Sequence, residues 1–347
     1  LSYGLETRYK DFYDYLTADD ELTPDDEKNN TLSDDNLFLK EIKKFMEENS
    51  KIDIPDNDVE NIDWSDFEQA LGAYTEKLKD TTDGERYLDD LQEFRKAFIN
   101  YIAMQEAKFE IDKESARAMF KNLIFNFYKG IRKQDENTIR EFLRNPNYTT
   151  YNFNFVNFNY TNTLSRIIKQ TTAIDDSNSG KYIAKAPVHV HRTLNTGTLL
   201  GVNDVSQIAN PDIFEANDIR DIIKPEMQSY DDSTIVDRIN NQIDRTHIFV
   251  IYGMSMGVTD KIWWEKIANQ VISHNKYLII NKHLTDEEKE EVNTQPRSRR
   301  QYMESVENEF ANNLNLKDKD KERLLKRTFV ILGSDYIFKY DTNKSNS

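Results

Sequence analysis

The pentapeptide Gly253-Met254-Ser255-Met256-Gly257 lies between the apolar run Ile248-Phe249-Val250-Ile251-Tyr252 and the segment Thr259-Asp260-Lys261-Ile262-Trp263-Trp264. The apolar run reads as a buried strand, and the segment after the turn reads as the start of an amphipathic helix. Gly-x-Ser-x-Gly between a strand and a helix is the sequence context of a serine nucleophile. It is also the context of a ligand cradle, because small residues let the backbone approach an anionic group at a helix N-terminus. A tight turn that holds no ligand needs the same residue types. The order of partners tells against a hydrolase. A triad of that kind runs serine, acid, histidine, whereas His274 and His283 precede Asp335 and no histidine follows it.

Three further strand ends carry polar residues. His189 and His191 are two apart on one expected strand and share a face. With a carboxylate such as Asp204 that spacing permits a metal, but no third ligand stands at diagnostic spacing and no metal is expected. His191 at the strand end suits an acid or base, and His189 a buried supporting role. Asn159 ends another strand, where its carboxamide can orient a water or a ribose hydroxyl. Asn162 reads as either a helix cap or a ligand contact. Asn203 and Asp204 close a third strand. Asp260 is either a first-turn helix acid or a ligand contact. If the strands form one parallel sheet, all these turns meet at its carboxyl edge, where ligands of open α/β sheets bind.

The elements needed to hold such an edge can be read along the chain. Tyr9, Phe12, Tyr13 and Leu16 mark a helix over residues 7–17. Residues 18–34 are acidic and form a loop. From about 35 to 145 the pattern is helical, with stripes Leu91, Phe94, Phe98, Ile102 and Ala116, Met119, Phe120, Leu123, Phe127. Thr82-Asp83-Gly84 reads as a turn between helices. After Pro146 the texture changes. Tyr151, Phe153 and Phe155 alternate with asparagines at strand period. Strands are expected at 188–190, 198–200, 248–252, 277–280 and 329–332, with helices between. Strands alternating with helices imply a parallel sheet. The expected organisation is an N-terminal piece of an α/β domain (1–17), a helical insertion or cap (18–145), the main α/β nucleotide-binding domain (146–340) and a tail (341–347).

Composition limits the function classes. A chain of 347 residues can bury a full core. Aromatics at 12% argue against disorder despite a mean hydropathy of -0.79. No apolar run approaches the ~20 residues that span a bilayer, so no membrane contact is expected. With no cysteine there are no disulfides, thiolate metal sites or cysteine nucleophile, and a cytoplasmic protein is the simple reading. A net charge of -16 disfavours non-specific binding to duplex nucleic acid. The basic Arg297, Arg299 and Arg300 and the charged run 317–323 read as solvated faces.

The chain resembles the AbiH family of bacterial proteins, associated with abortive infection against bacteriophage. The segments that carry the resemblance are Gly4-Leu5-Glu6-Thr7-Arg8-Tyr9-Lys10-Asp11-Phe12, Trp64-Ser65-Asp66-Phe67-Glu68, Phe158-Asn159-Tyr160-Thr161-Asn162-Thr163-Leu164, His189-Val190-His191, Gly201-Val202-Asn203-Asp204 and Gly253 to Asp260. Family members open with a strand and a Gly-Asn-Gly-Phe-Asp turn, so this chain is expected to begin inside a phosphate-binding loop. Arg192 stands where the family tends to have glycine, and Met254 where histidine is frequent. AbiH-like sequences are in turn similar to sirtuin-like NAD-binding domains. That resemblance implies a parallel Rossmann-like sheet flanked by helices, with NAD as substrate or ligand. It implies Asn159 and His191 as catalytic residues. It places Gly4, Thr7, Tyr160, Thr161, Asn162, Asn203, Asp204, Gly253, Ser255, Gly257 and Asp260 around the nucleotide. The implied activity is NAD glycohydrolysis that stops growth of an infected cell. The alternatives are a non-catalytic sensor of a nucleotide or phage signal, and a metal-dependent nuclease built on His189, His191 and Asp204. The expected partners are a nucleotide or dinucleotide, a phage-derived trigger and further copies of the chain.

Overall fold

A computed structural model describes residues 9–17, 32–50, 64–171, 173–176, 180–194, 200–231, 233–254, 256, 260–333 and 337–340. Helices α1 (Tyr9–Thr17), α2 (Leu37–Ser50), α3 (Trp64–Tyr74) and α4 (Thr81–Ala107) form a layer around aromatic side chains. The stripe Leu91, Phe94, Phe98 and Ile102 recurs at helical spacing and is fully buried on α4. Phe12 of α1 meets Phe94 and Phe98 edge-on, with ring centroids 5.5 Å apart in each pair. Thr82-Asp83-Gly84, expected as a turn between helices, is instead the first turn of α4. Asp80 precedes it and caps the helix by accepting from the Asp83 N–H. Glycine is needed at 84 for close packing, since a Cβ there would stand 2.9 Å from the Ile213 carbonyl.

The segment 200–223 closes this layer from the far end of the chain. Leu200, Val202, Ile208, Ile213, Ile222 and Ile223 join the same core. Val202 forms an isolated parallel bridge with Ile223. The segment approaches α3 at Gly72, whose carbonyl accepts from the Ala209 N–H at 3.1 Å.

Helices α5 (Lys113–Asn126) and α6 (Lys133–Leu143) lead into the strands. Strand β1 (Thr150–Phe153) is followed by β2 (Val156–Asn157), α7 (Thr163–Lys169), β3 (Ala173–Asp176), β4 (Gly180–Ala184) and β5 (Val188–His189). Next come α8 (Lys224–Asp231), α9 (Ser233–Arg245), β6 (Ile248–Tyr252), α10 (Lys261–His274) and β7 (Tyr277–Lys282). The described elements end with α11 (Asp286–Thr294), α12 (Pro296–Asn312), α13 (Asp318–Leu325) and β8 (Thr328–Leu332). Strands β6, β7 and β8 form a parallel sheet in that order. Phe249, Ile251, Leu278, Ile280, Val330 and Leu332 pack on one side with Trp263 and Trp264. Ile279, Phe329 and Ile331 pack on the other with Phe127, Ile131 and Ile139. Burial on both faces explains why β7 and β8 read as unbroken apolar runs, whereas β6 leaves Val250 exposed.

The expected single parallel Rossmann-like sheet is not what forms. The described strands make three separate sheets of two or three strands, ordered β1-β4-β3, β2-β5 and β6-β7-β8. One of them is mixed, because β3 runs antiparallel to β4. The aromatic–asparagine alternation at 151–155 breaks into two short strands, and β2 pairs over only two residues. Between these sheets the ladder is replaced by a cavity of about 1270 Å³, lined by β1, β2 and β6 together with Phe158 and Trp264.

Candidate functional site

Strands β2 and β5 pair in parallel, with Asn157 opposite His189 and the Val190 N–H donating to the Asn157 carbonyl at 2.9 Å. This register delivers Asn159 and His191 to the same end of adjacent strands. Asn159 is exposed, and its N–H and Nδ2 both donate to Oδ1 of Asn157, at 3.1 and 3.2 Å. His189 lies 3.2 Å from the Asn159 carbonyl through Nδ1 and 2.9 Å from the Ser165 hydroxyl through Nε2. A carbonyl can only accept, so Nδ1 carries the proton and Nε2 accepts from Ser165. Burial pushes the His189 ring below its usual pKa. Its role is to brace the Asn159 turn.

His191 turns the other way, into a buried chain of charges. Its Nε2 lies 3.2 Å from Oδ1 of Asp260. The same carboxylate oxygen is 3.2 Å from Nζ of Lys224, which donates at 2.7 Å to Oε2 of Glu68. Glu68 stands on α3, Lys224 opens α8, and Asp260 immediately precedes α10. The side chains of Glu68 and Lys224 are each only 5% exposed, so neither charge is compensated by bulk water. An unpaired ion at such depth costs several kcal/mol, roughly, and survives only when paired. Tyr160 packs over His191 with ring centroids 5.9 Å apart, and Phe158 packs against it at 5.6 Å. Among the described residues, Nδ1 of His191 has no hydrogen-bond partner.

The electrostatics follow from this arrangement. Burial pushes Asp260 up, but His191 and Lys224 outweigh it and hold the carboxyl well below its usual range. Burial dominates at Glu68 and raises it, against the pull of Lys224. Burial pulls Lys224 down, but the two carboxylates hold its ammonium above the usual value. Burial raises the Tyr160 phenol, and Glu68 and Asp260 raise it further against Arg95.

A pH dependence of stability follows for Asp260. Its folded pKa is depressed, so its contribution is complete above the unfolded carboxylate value of about 4 and is lost as pH falls through the folded value. Glu68 carries the opposite sign. Its folded pKa is raised, so its contribution is present below the unfolded value of about 4.3 and declines as pH rises through the folded one. Asp260→Asn is expected to lower the melting temperature at pH 6 and to flatten its decline below pH ~4. Calorimetric melting of both proteins between pH 3 and 7 measures this. A parallel acid limb in the variant contradicts it.

The other predicted residues divide. Tyr160 joins the charged cluster. Thr161 and Asn162 form the turn into α7, where Asn162 occupies the cap position but its side chain makes no capping bond. Asn203 and Asp204 bond mainly to their own turn. The Asn203 N–H donates to Gln207, and Asp204 accepts from the Ser206 N–H at 2.8 Å. Gly253 is exposed with φ of 66°, a left-handed conformation suited to glycine, and it lines the cavity with Asn159. Gly4, Thr7, Ser255 and Gly257 lie outside the described residues. Among the described residues no group of three or more His, Asp or Glu side chains is arranged to hold a metal. No described helix is long and apolar enough to cross a membrane.

Glu68 and Lys224 were not singled out by the sequence. Each left a faint trace. Glu68 ends the Trp64–Glu68 segment, and Lys224 follows the apolar pair Ile222-Ile223. A lysine directly after two buried isoleucines is a candidate for a buried ion.

These elements define a mixed α/β protein in which a helical layer and short sheets meet at a buried chain of ionisable side chains. A family model, bacteriophage abortive infection AbiH, matches residues 1–282, and the chain belongs to that family. Its role is therefore in anti-phage abortive infection. The matched stretch includes Glu68, His191, Lys224 and Asp260. No curated protein and no solved structure matches the chain. The sirtuin-like resemblance consequently has no structural neighbour behind it.

Proposed function

We propose that the chain acts in abortive infection by binding NAD or a related nucleotide beside His191 and hydrolysing its glycosidic bond. The observation that carries this reading is the buried chain His191–Asp260–Lys224–Glu68, set one strand away from the exposed Asn159. Perturbed ionisable groups gathered at one place are characteristic of acid–base sites. A cavity of about 1270 Å³ opens beside Asn159, with room for a dinucleotide and an aromatic wall of Phe158 and Trp264; His191 is not part of its lining and meets it through the Phe158 ring.

In this mechanism the bond from ribose C1′ to the nicotinamide nitrogen breaks, and nicotinamide leaves as a neutral molecule through an oxocarbenium-like state. Water attacks C1′ and gives its proton to Nδ1 of His191. Asp260 stabilises the imidazolium through Nε2. The carboxamide oxygen of Asn159, whose Nδ2 is already tied to Asn157, orients the water or a ribose hydroxyl.

Purified protein incubated with NAD should release nicotinamide, followed by chromatography. His191→Ala should lower the rate about 10²-fold or more, the scale of a lost general base. A folded His191→Ala protein with full activity rules the mechanism out. The deep burial of His191 favours one second reading, a nucleotide sensor without turnover. Saturable binding of NAD with no nicotinamide released selects it.

A further inference from the structure

We propose that Lys224 and Glu68 are positioning residues for His191. Lys224 fixes the Asp260 carboxylate against the imidazole, and Glu68 makes that geometry depend on the seating of helix α3. The inference takes from the proposed function only that His191 and Asp260 form the working pair.

The backbone leaves Lys224 little freedom. Its N–H donates to the Val202 carbonyl at 2.8 Å, and the Val202 N–H donates to the Ile222 carbonyl at 2.9 Å. The residue is thus tied to the segment 200–203 before α8 begins. That segment continues into Gln207, which packs on Gly72 of α3. Glu68 and Gly72 are four residues apart on one helix and therefore share a face. The face of α3 that docks on the 200–224 segment is also the face that presents Glu68 to Lys224. An ammonium suits the junction because its three donors radiate from a single point. Nζ reaches carboxylates from two different elements, at 2.7 and 3.2 Å. Every element packed around the cluster contributes one polar or charged group. These are Glu68 from α3, Arg95 from α4, Tyr160 after β2, His191 after β5, Lys224 from α8 and Asp260 before α10.

The two residues act on the imidazole in opposite senses. Without the Lys224 cation, two buried carboxylates face His191 and favour a proton on its ring. Without the Glu68 charge, Lys224 belongs wholly to Asp260 and disfavours that proton. Shifts of opposite sign mark both charges as coupled to the imidazole.

The test is a histidine-selective carbon NMR titration of the full chain, with the His191 signal assigned by its loss in His191→Asn. In Lys224→Met the midpoint of the His191 titration should rise, and in Glu68→Gln it should fall, each by about one pH unit or more. Should Lys224→Met fail to fold, Glu68→Gln still carries the test, because a midpoint that stays or rises in the folded protein overturns the proposal. Nicotinamide release by the unsubstituted protein separates the two ideas. Opposite shifts without any release uphold the positioning role and remove the NAD reading. Release with unmoved midpoints does the reverse.

Discussion

Gly72→Ala should destabilise the protein sharply, although alanine is the better helix former. A Cβ at this position would stand 1.9 Å from the Gln207 carbonyl oxygen and 2.9 Å from its carbon. Both are backbone atoms, so no side-chain rotation relieves the contact. The two chains must separate, and several bonds separate with them. The Gly72 carbonyl accepts from the Ala209 N–H at 3.1 Å and from the Thr75 hydroxyl at 2.7 Å. That hydroxyl in turn accepts from the Asn210 N–H at 3.0 Å. Helix propensity returns about 1 kcal/mol to the variant. Overpacking costs ~1–3 kcal/mol where side chains can yield, and more against a fixed backbone. The expected net loss is about 2 kcal/mol or more, a fall in melting temperature of roughly 3 °C or more. Circular dichroism melting measures it, with Gly84→Ala as a milder comparison, since its closest contact is 2.9 Å. A variant that melts with or above the parent would show that α3 and the 205–209 turn are not in this contact.

The same contact shows what the sequence could and could not reveal. Leu91, Phe94, Phe98 and Ile102 announce a buried helical face because 3.6-residue periodicity is local. Strands β6, β7 and β8 are legible as apolar runs for the same reason. Which strand pairs with which depends on partners far along the chain, and there the reading failed. Alternation at 151–155 suggested a member of one long sheet, yet among the described residues β1 pairs with β4 alone, and β2 with β5 alone. Strands β3 and β4 escaped notice because Asp175, Asp176 and Lys181 mask any apolar alternation. His191 and Asp260 were both legible as polar residues at element ends, but their pairing was not. Glu68 and Lys224 are 156 residues apart, and no local pattern marks an ion pair of that span.

Arg95→Met should cost about as much as Gly72→Ala, by removing donors rather than adding bulk. The guanidinium is deeply buried, and burial lowers its pKa, yet an arginine stays charged in a protein. Nε and Nη2 donate to the Leu200 carbonyl at 3.1 and 2.6 Å, and Nη2 also donates to the Asp221 carbonyl at 2.7 Å. One side chain thereby joins the two ends of the segment that carries the Val202–Ile223 bridge and Lys224. Methionine fills much of the volume but leaves both carbonyls without this donor. The buried Leu200 carbonyl stripped of its partner costs about 1–3 kcal/mol, whereas water can replace the donor at the exposed Asp221 carbonyl, so the loss should be about 1–3 kcal/mol. Arg95→Lys should fall between, since an ammonium cannot reproduce the planar fork that spans the two carbonyls. The damage should also reach Lys224, which hangs from the same segment. Arg95→Met and Glu68→Gln are therefore expected to be non-additive by more than about 0.5 kcal/mol in a double-mutant cycle of denaturant melts. Additive losses would mean that Arg95 holds the helical layer together without any hold on the charged cluster, and would detach the seating of α3 from the state of His191.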